Sequence, residues 1–329
     1  MIDKSKAPSA AASLPAVLQD AIDKFGRWAS EHLQAEQDKN AIDAALYHYT
    51  DGRGLKGVIE SGEFWFTDYR HLNDPSELIH GIDMAQAVAL MLATSADGRV
   101  QLFLETFKDM FRRENFDSTL EFFIASFSRA RDDLGQWRAY ADNGRGFAIG
   151  LSPRMFKIVD KPPPDRLPEF VGPVLYSIHE VCARNQSALE EAASIFLEAV
   201  TVNADLVANK TIGIPFMQAF AREIIAQPLI WNCLTSKHPA YQHEQEVRLV
   251  IMGTPASLAP HIKTRLRGSE IVPYIAHPMP LRQPHNIAEI MVGPAAAADA
   301  ERTVRTMLNS LGVDTEIEIS RSDIPYRAL

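Results

Sequence analysis

The run Glu244-Gln245-Glu246-Val247-Arg248-Leu249-Val250-Ile251 constrains the architecture more than any other part of the chain. Side chains on a strand point alternately to its two faces. If the strand reaches back to residue 244, Glu244, Glu246 and Arg248 share one face, and Val247, Leu249 and Ile251 pack the other. Such a strand belongs in a sheet with one apolar side and one side that holds charge. Two further strings alternate in the same way. In Leu46-Tyr47-His48-Tyr49-Thr50, His48 shares a face with Leu46 and Thr50, while Tyr47 and Tyr49 point the other way. Ser126 and Ser128 share a face opposite Ala125 and Phe127.

The elements around these strings follow from periodicity and punctuation. Residues 1–13 are small and polar, and read as disordered. Leu14, Val17, Leu18, Ala21, Ile22, Phe25 and Trp28 fall on one face of a helix over 14–38, which covers a core or serves a homodimer. A strand at 46–50 is followed by the turn 51–54, a helix 54–61 closed by Gly62, and a strand 64–67. After a loop 68–75 come helices from Ser76 to about 94 and over 98–113. Strands follow at 121–128, 146–151 and 170–176, with an exposed loop at 161–168 forced by four prolines. A helical block at about 178–235, interrupted near Gly213-Ile214-Pro215, reads as an insertion or lobe. Beyond it lie strand 245–252 and then strand 287–292, helix 297–311 and strand 313–319, a unit that gives parallel neighbours. The division expected is a tail and amphipathic helix over 1–44 and one α+β domain over 45–329.

Composition narrows the setting. The formal net charge is −9, from 33 basic and 42 acidic residues, which disfavours a broad nucleic-acid or anionic-membrane surface. No stretch approaches the roughly 18 apolar residues of a membrane span. Cys182 and Cys233 are too few and too far apart for a disulfide framework or metal knuckle, so reduced thiols and a cytoplasmic location are expected, with no metal.

Each polar string has a structural reading beside its functional one. A lone strand histidine such as His48 is usually a hydrogen-bonded core residue. A Glu–Arg pair on a strand face is usually a surface pair worth about 0–1 kcal/mol. The loop Arg70-His71-Leu72-Asn73-Asp74-Pro75-Ser76-Glu77 has the chemistry of a helix entry, and equally that of a loop carrying a substrate-contacting acid. Arg129, Arg131, Arg138 and Arg145 crowd one segment, where guanidinium groups could clamp a diphosphate. Trp137 and Tyr140, one helical turn apart, form either one aromatic wall or core. Phosphate-loop, dinucleotide-fold, zinc-protease and serine-esterase signatures are missing from the sequence.

The ordered strings Leu46–Thr50, Leu72-Asn73-Asp74-Pro75-x-Glu77, Ser126-Phe127-Ser128, Gln136-Trp137-x-x-Tyr140, Gly144-x-Gly146, Glu244-x-Glu246-x-Arg248-Leu249, Ile290-x-Val292-Gly293-Pro294 and Ser322-x-Ile324-Pro325-Tyr326-Arg327 resemble a bacterial domain-of-unknown-function family, number 2971, over about 45–327. His48 after Leu46-Tyr47, then Ser126-Phe127-Ser128, then Glu244-Gln245-Glu246 also resembles the three ordered strand motifs of ADP-ribosyltransferases. Tyr49 stands where a glycine often follows the first motif residue, and Trp137 and Tyr140 have no counterpart there.

The second resemblance implies an α+β fold with a split, twisted sheet, and an enzyme that transfers ADP-ribose from NAD or cleaves NAD, as a toxin or antiphage effector. Glu246 would then stabilise the oxocarbenium-like ribose, His48 would hold the ribose or diphosphate, and Ser126 or Ser128 would support the site. Glu244 would orient or deprotonate an acceptor, protein or otherwise. Trp65 or Tyr69 would stack on nicotinamide. Tyr49, Asn73, Asp74, Glu77, Trp137, Tyr140 and Arg248 would complete the substrate contacts, with Arg129, Arg138 and Arg145 on phosphate. Two other readings stand beside it. One is a nucleotide-binding regulatory module without turnover. The other is a hydrolase or nuclease using His48, Asp74 and Glu77. The transferase reading makes a strict geometric demand. His48, Ser126, Trp137 and Glu246 must line one cleft with an arginine at its rim, and His48 and Glu246 on opposite sides of the sheet would dispose of it.

Overall fold

The computed structural model describes residues 14–74, 77–116, 120–156, 167, 169–313 and 316–327. The chain is mixed α+β and divides into two compact units. A helical unit takes Met1–Gln34, Ile82–Arg112 and Cys182–Asn232, and a sheet unit takes Ala35–Gly81, Arg113–Val181 and Cys233–Leu329.

In the helical unit, helix Ala16–Lys39 buries Leu18, Ala21, Ile22, Phe25 and Ala29. Phe25 meets Phe220 at 5.7 Å, and Phe103 stacks on Phe196 at 4.4 Å, so the apolar face of this first helix is buried in helical core. The expected break near 213–215 is absent, and Pro215 lies within helix Lys210–Ile224. The chain breaks earlier, at Asn203 and Asn209, where Asn209 caps the next helix through its side chain. A proline has no N–H to donate, and a π-helical turn over Ile225–Leu229 accommodates Pro228. Among the described residues no helix is long and apolar enough to cross a membrane.

The sheet unit carries ten strands: β1 (Leu46–Thr50), β2 (Glu63–Asp68), β3 (Glu121–Ser128), β4 (Phe147–Leu151), β5 (Glu169–Pro173), β6 (Glu246–Gly253), β7 (Ile262–Arg267), β8 (Glu270–Pro278), β9 (Ile287–Val292) and β10 (Glu318–Arg321). Their main order is β10-β9-β4-β1-β3-β2-β8-β7, with β6 also on β3 and β5 on β6. Strands β9 and β10 are parallel, as their helical connection requires. The hairpin β7–β8, turned by Gly268 at φ +62, was not read from the sequence. Its polar edge strand and the Pro273 inside β8 disguise the alternation. The loop read at 161–168 lies outside the described residues, apart from Leu167.

The sheet forks at β3. One edge of β3 pairs with β6 along its whole length, from Glu121–Gly253 to Ser128–Glu246. The other edge is shared. Strand β2 takes Phe123 and Ile124, and β1 takes only Ser128. A strand has two edges, so β1 and β2 must diverge beside residues 125–127. His48 Nδ1–H donates to the Ser126 carbonyl at 3.1 Å and satisfies a main-chain acceptor at the fork.

Register sorts the faces. Tyr47 pairs with Ser128, and Ser128 with Glu246, so these three share a side, together with Ser126 and Arg248. Leu46, Phe64, Phe66, Phe123, Ala125, Phe127, Ile149, Val247, Leu249, Ile251, Ile275 and Ile290 pack the opposite side as one core. The sheet therefore has the one polar and one apolar side implied by the alternation in 246–251.

Two glycine strings explain themselves here. Gly293 N–H donates to the Gly146 carbonyl, and Ala295 N–H to the Gly144 carbonyl, each at 2.9 Å. A methyl on Gly293 would collide with the Gly144 carbonyl oxygen, and one on Gly146 with that of Thr50. Gly144 also sits at φ +83, after Asp142 and Asn143 at φ 47 and 52. Gly293→Ala is expected to lower the unfolding free energy by about 1–3 kcal/mol in urea titration. An unchanged midpoint would mean that the two main chains do not approach so closely.

Candidate functional site

Most of the polar strings meet on the polar side of the fork, around a buried lysine. Lys237 Nζ donates to Glu244 Oε2 at 2.6 Å and to Glu246 Oε2 at 3.3 Å, and lies over the Tyr241 ring at 4.7 Å. Arg248 grips Glu246 bidentately, with Nε to Oε1 at 2.8 Å and Nη2 to Oε2 at 2.9 Å. Its Nη1 reaches the Leu234 carbonyl at 2.7 Å. Tyr140 donates to Glu244 Oε1 at 2.9 Å, and the Asn73 side chain bonds Tyr140. Ser128 Oγ donates to the Glu244 carbonyl, and Glu246 N–H donates to Tyr176 Oη. Two carboxylates and two cations, all nearly out of solvent, balance one another.

The geometry depends on one unusual residue. Strand β6 starts at Glu246 rather than 244, and Gln245 adopts φ +45. Glu244 lies in the preceding 3-10 turn, yet reaches the same lysine as Glu246. Its main chain is tied down from both sides, because Gln245 C=O accepts from Arg129 N–H and Glu244 C=O from Ser128.

Electrostatics follow from this enclosure. Burial alone would raise the Glu246 carboxyl. The Arg248 charge and hydrogen bonds outweigh it, with Lys237 and the Ser126 hydroxyl, and hold the carboxyl at about 2. Burial, reinforced by Glu244, pushes the Tyr140 hydroxyl up to about 12. His48 is pushed below the usual imidazole range, chiefly by burial and against its bond to Ser126, so it is neutral near pH 7.

The structure corrects several site assignments. His48 does not join Glu246. Its ring packs edge-on against Phe64 at 5.2 Å and beside Phe127 at 5.7 Å, on the apolar side of the sheet. Alternation requires this, because the next position to Tyr47 must face away from Glu246. Trp137 is not a ligand wall. It is fully buried, receives the edge of Tyr49 at 4.8 Å, and donates Nε1–H to Asp132 at 2.6 Å. Tyr49 is buried too, and donates to the Ala130 carbonyl. The arginines do not form a clamp. Arg131 is taken by Glu289, at 2.8 Å from each of two nitrogens, while Arg138 is exposed on helix Leu134–Tyr140 and Arg129 and Arg145 are exposed on either side of it.

Other assignments fall beside the network. Tyr69 and Asp74 line a narrow cleft on the polar side with Arg70, Leu72, Leu78, Arg113, Ile124, Cys233, Leu234 and Arg248. Glu77 opens helix Glu77–Ala93, and its side chain, like Pro75 and Ser76, lies outside the described residues. Trp65 is 43% exposed and Ser126 is also exposed. Both belong to the polar side, facing the fork from β2 and β3 by alternation from the Thr67–Ile124 pair. Neither Cys182 nor Cys233 is in a disulfide.

Lys237, Tyr176, Arg265 and Tyr274 were missed from the sequence. Lys237 and Tyr176 lie in irregular segments beside helices, where periodicity carries no signal. Arg265 and Tyr274 belong to the unread hairpin. Among the described residues no group of three or more His, Cys, Asp or Glu is placed to hold a metal ion.

Residues 136–249 match the model of a family described as Protein of unknown function (DUF2971). That stretch contains Trp137, Tyr140, Lys237, Glu244, Glu246 and Arg248. No curated protein and no solved structure matches the chain.

Proposed function

We propose that this chain, which carries the DUF2971 family region across residues 136–249, is a nucleotide-binding module that holds its ligand on the polar side of the forked sheet without turning it over. One observation carries the second half of this reading. Both Glu246 oxygens are engaged by Arg248, and one also by Lys237. A carboxylate stabilises a developing ribosyl cation through negative charge that nothing else cancels. Two cations in contact with Glu246 cancel it in advance. His48, on the apolar side, is not placed to hold a ribose beside Glu246, nor to act with Asp74 in hydrolysis.

The fork supports the first half. It divides the sheet and leaves exposed ring and hydroxyl groups on its polar side. Arg113 stands at the neighbouring cleft beside Arg70 and Arg248, whose charges are met by Asp68 and Glu246, and is the cation there that favours an anion. Among the described residues Arg113 forms no ion pair.

The test is calorimetric titration of purified protein with NAD, run beside an assay for free nicotinamide. Saturable binding without nicotinamide release is expected. Release that vanishes in a folded Glu246→Gln variant would overturn this reading and restore the catalytic role of Glu246.

A further inference from the structure

Arg265 stands on the polar side, on edge strand β7. It lies over the Trp65 ring at 5.3 Å and the Tyr274 ring at 5.9 Å, and donates Nη2–H to Thr67 Oγ1 at 3.0 Å. Its Nε is buried without a hydrogen-bond partner. Among the described residues it pairs with no carboxylate, and both burial and the charge of Arg267 work against its protonated form. A partly buried cation without a counter-ion is destabilising unless an anion completes it. Lys263 shares this face of β7 and is exposed, so the local field favours an anion further.

Flat-ring chemistry is present at the same place. Trp65 and Tyr274 pack at 4.5 Å with 36° between their planes, and Trp65 remains 43% exposed. The arrangement offers an aromatic platform and a guanidinium of which only Nη2 is hydrogen-bonded among the described residues. An edge strand carrying basic residues is often simple protection against aggregation. That account explains Lys263 and Arg267, but not a guanidinium laid on two rings with a buried donor left over.

We propose that Trp65, Tyr274 and Arg265 form the subsite for a flat aromatic base bearing a phosphate, with the base against Trp65 and the phosphate at Arg265. This assignment rests on the nucleotide-binding reading and names the side chains that recognise the ligand. Base stacking and a charge-assisted phosphate contact each contribute on the order of tenfold or more in affinity.

The experiment is a fluorescence and calorimetric titration with three probes, AMP, adenosine and inorganic phosphate, on wild type, Trp65→Leu, Trp65→Phe and Arg265→Gln. AMP should bind wild type at least tenfold more tightly than adenosine or phosphate alone, and should quench emission that Trp65→Phe no longer shows. Arg265→Gln should weaken AMP about tenfold while leaving adenosine unchanged. Trp65→Leu should weaken AMP and adenosine together, and Trp65→Phe should retain most of the affinity. Arg265 is on the edge strand β7 and Trp65 is exposed on β2 beside the fork, and thermal melting checks that each variant is folded. AMP bound equally by wild type, Trp65→Leu and Arg265→Gln would overturn the subsite and leave nucleotide binding standing elsewhere. No binding of AMP by wild type, together with no binding of NAD, would overturn both.

Discussion

Glu246→Gln is expected to lower the unfolding free energy by about 3–5 kcal/mol, the range found when one partner of a buried ion pair is removed. The glutamine would present an amide N–H₂ group to Arg248 or Lys237, both of which are donors, and would leave two buried cations facing Glu244 alone. Urea titration measures the loss. The pH dependence identifies its source. The folded carboxyl is held at about 2, against an ordinary value of 4.5, so the unfolded chain takes up the proton first. The contribution is complete above pH 5 and disappears as pH falls from about 5 to about 2. The stability gap between wild type and Glu246→Gln should therefore close through that window. A gap that is absent at pH 7 would show Glu246 to be dispensable to the fold, as expected of a residue kept for catalysis. Replacing Glu246 and Arg248 together by Leu and Met should recover part of the loss, because an apolar pair leaves fewer uncompensated charges.

Trp137→Ala is expected to cost about 3–5 kcal/mol of stability, the usual range for truncating a fully buried aromatic. The indole fills the space beside Tyr49 and Ala148 and ties helix Leu134–Tyr140 to Asp132. Asp132 also accepts from Ser322 Oγ at 2.8 Å and from Asp323 N–H at 3.3 Å, so the loss spreads to the 322–326 segment. Trp137→Phe should keep most of the packing and lose chiefly the Nε1–H bond, for about 1–2 kcal/mol. Stability measured beside NAD titration separates this role from a ligand contact. A ligand-stacking tryptophan would lose affinity and keep its midpoint, and the opposite is expected.

Alternation in short strands was the legible part. Strands β1, β3 and β9 have the boundaries read from residues 46–50, 121–128 and 287–292, and the separation of Glu246 and Arg248 from Val247 and Leu249 is the separation of the two sheet faces. What alternation within one strand could not supply was the register between strands. His48 and Glu246 each had a face assigned, but only the pairings of Tyr47 with Ser128 and Ser128 with Glu246 set those faces against each other. Lys237 was illegible for a different reason. It is placed by the Leu175–Lys237 and Leu175–Thr235 main-chain bonds of an irregular crossing, which no local pattern encodes. The arginines of 129–145 misled because charge density along a segment says nothing of direction. Helix Leu134–Tyr140 turns Trp137 and Tyr140 inward and Arg138 outward.

The fork at β3 also bears on where this protein can be cut. The family match begins at residue 136, after β3 has ended, and stops at 249, halfway along β6, yet β6 pairs with β3 from end to end. Strand β4, inside the match, has both its neighbours, β1 and β9, outside. A fragment trimmed to residues 136–249 would carry the lysine, both glutamates and the arginine, and would have bare main-chain edges where their sheet should be. The borders of the family match and those of the strand pairings do not coincide here. Domain swaps and minimal expression units should follow the strand pairings rather than the matched span.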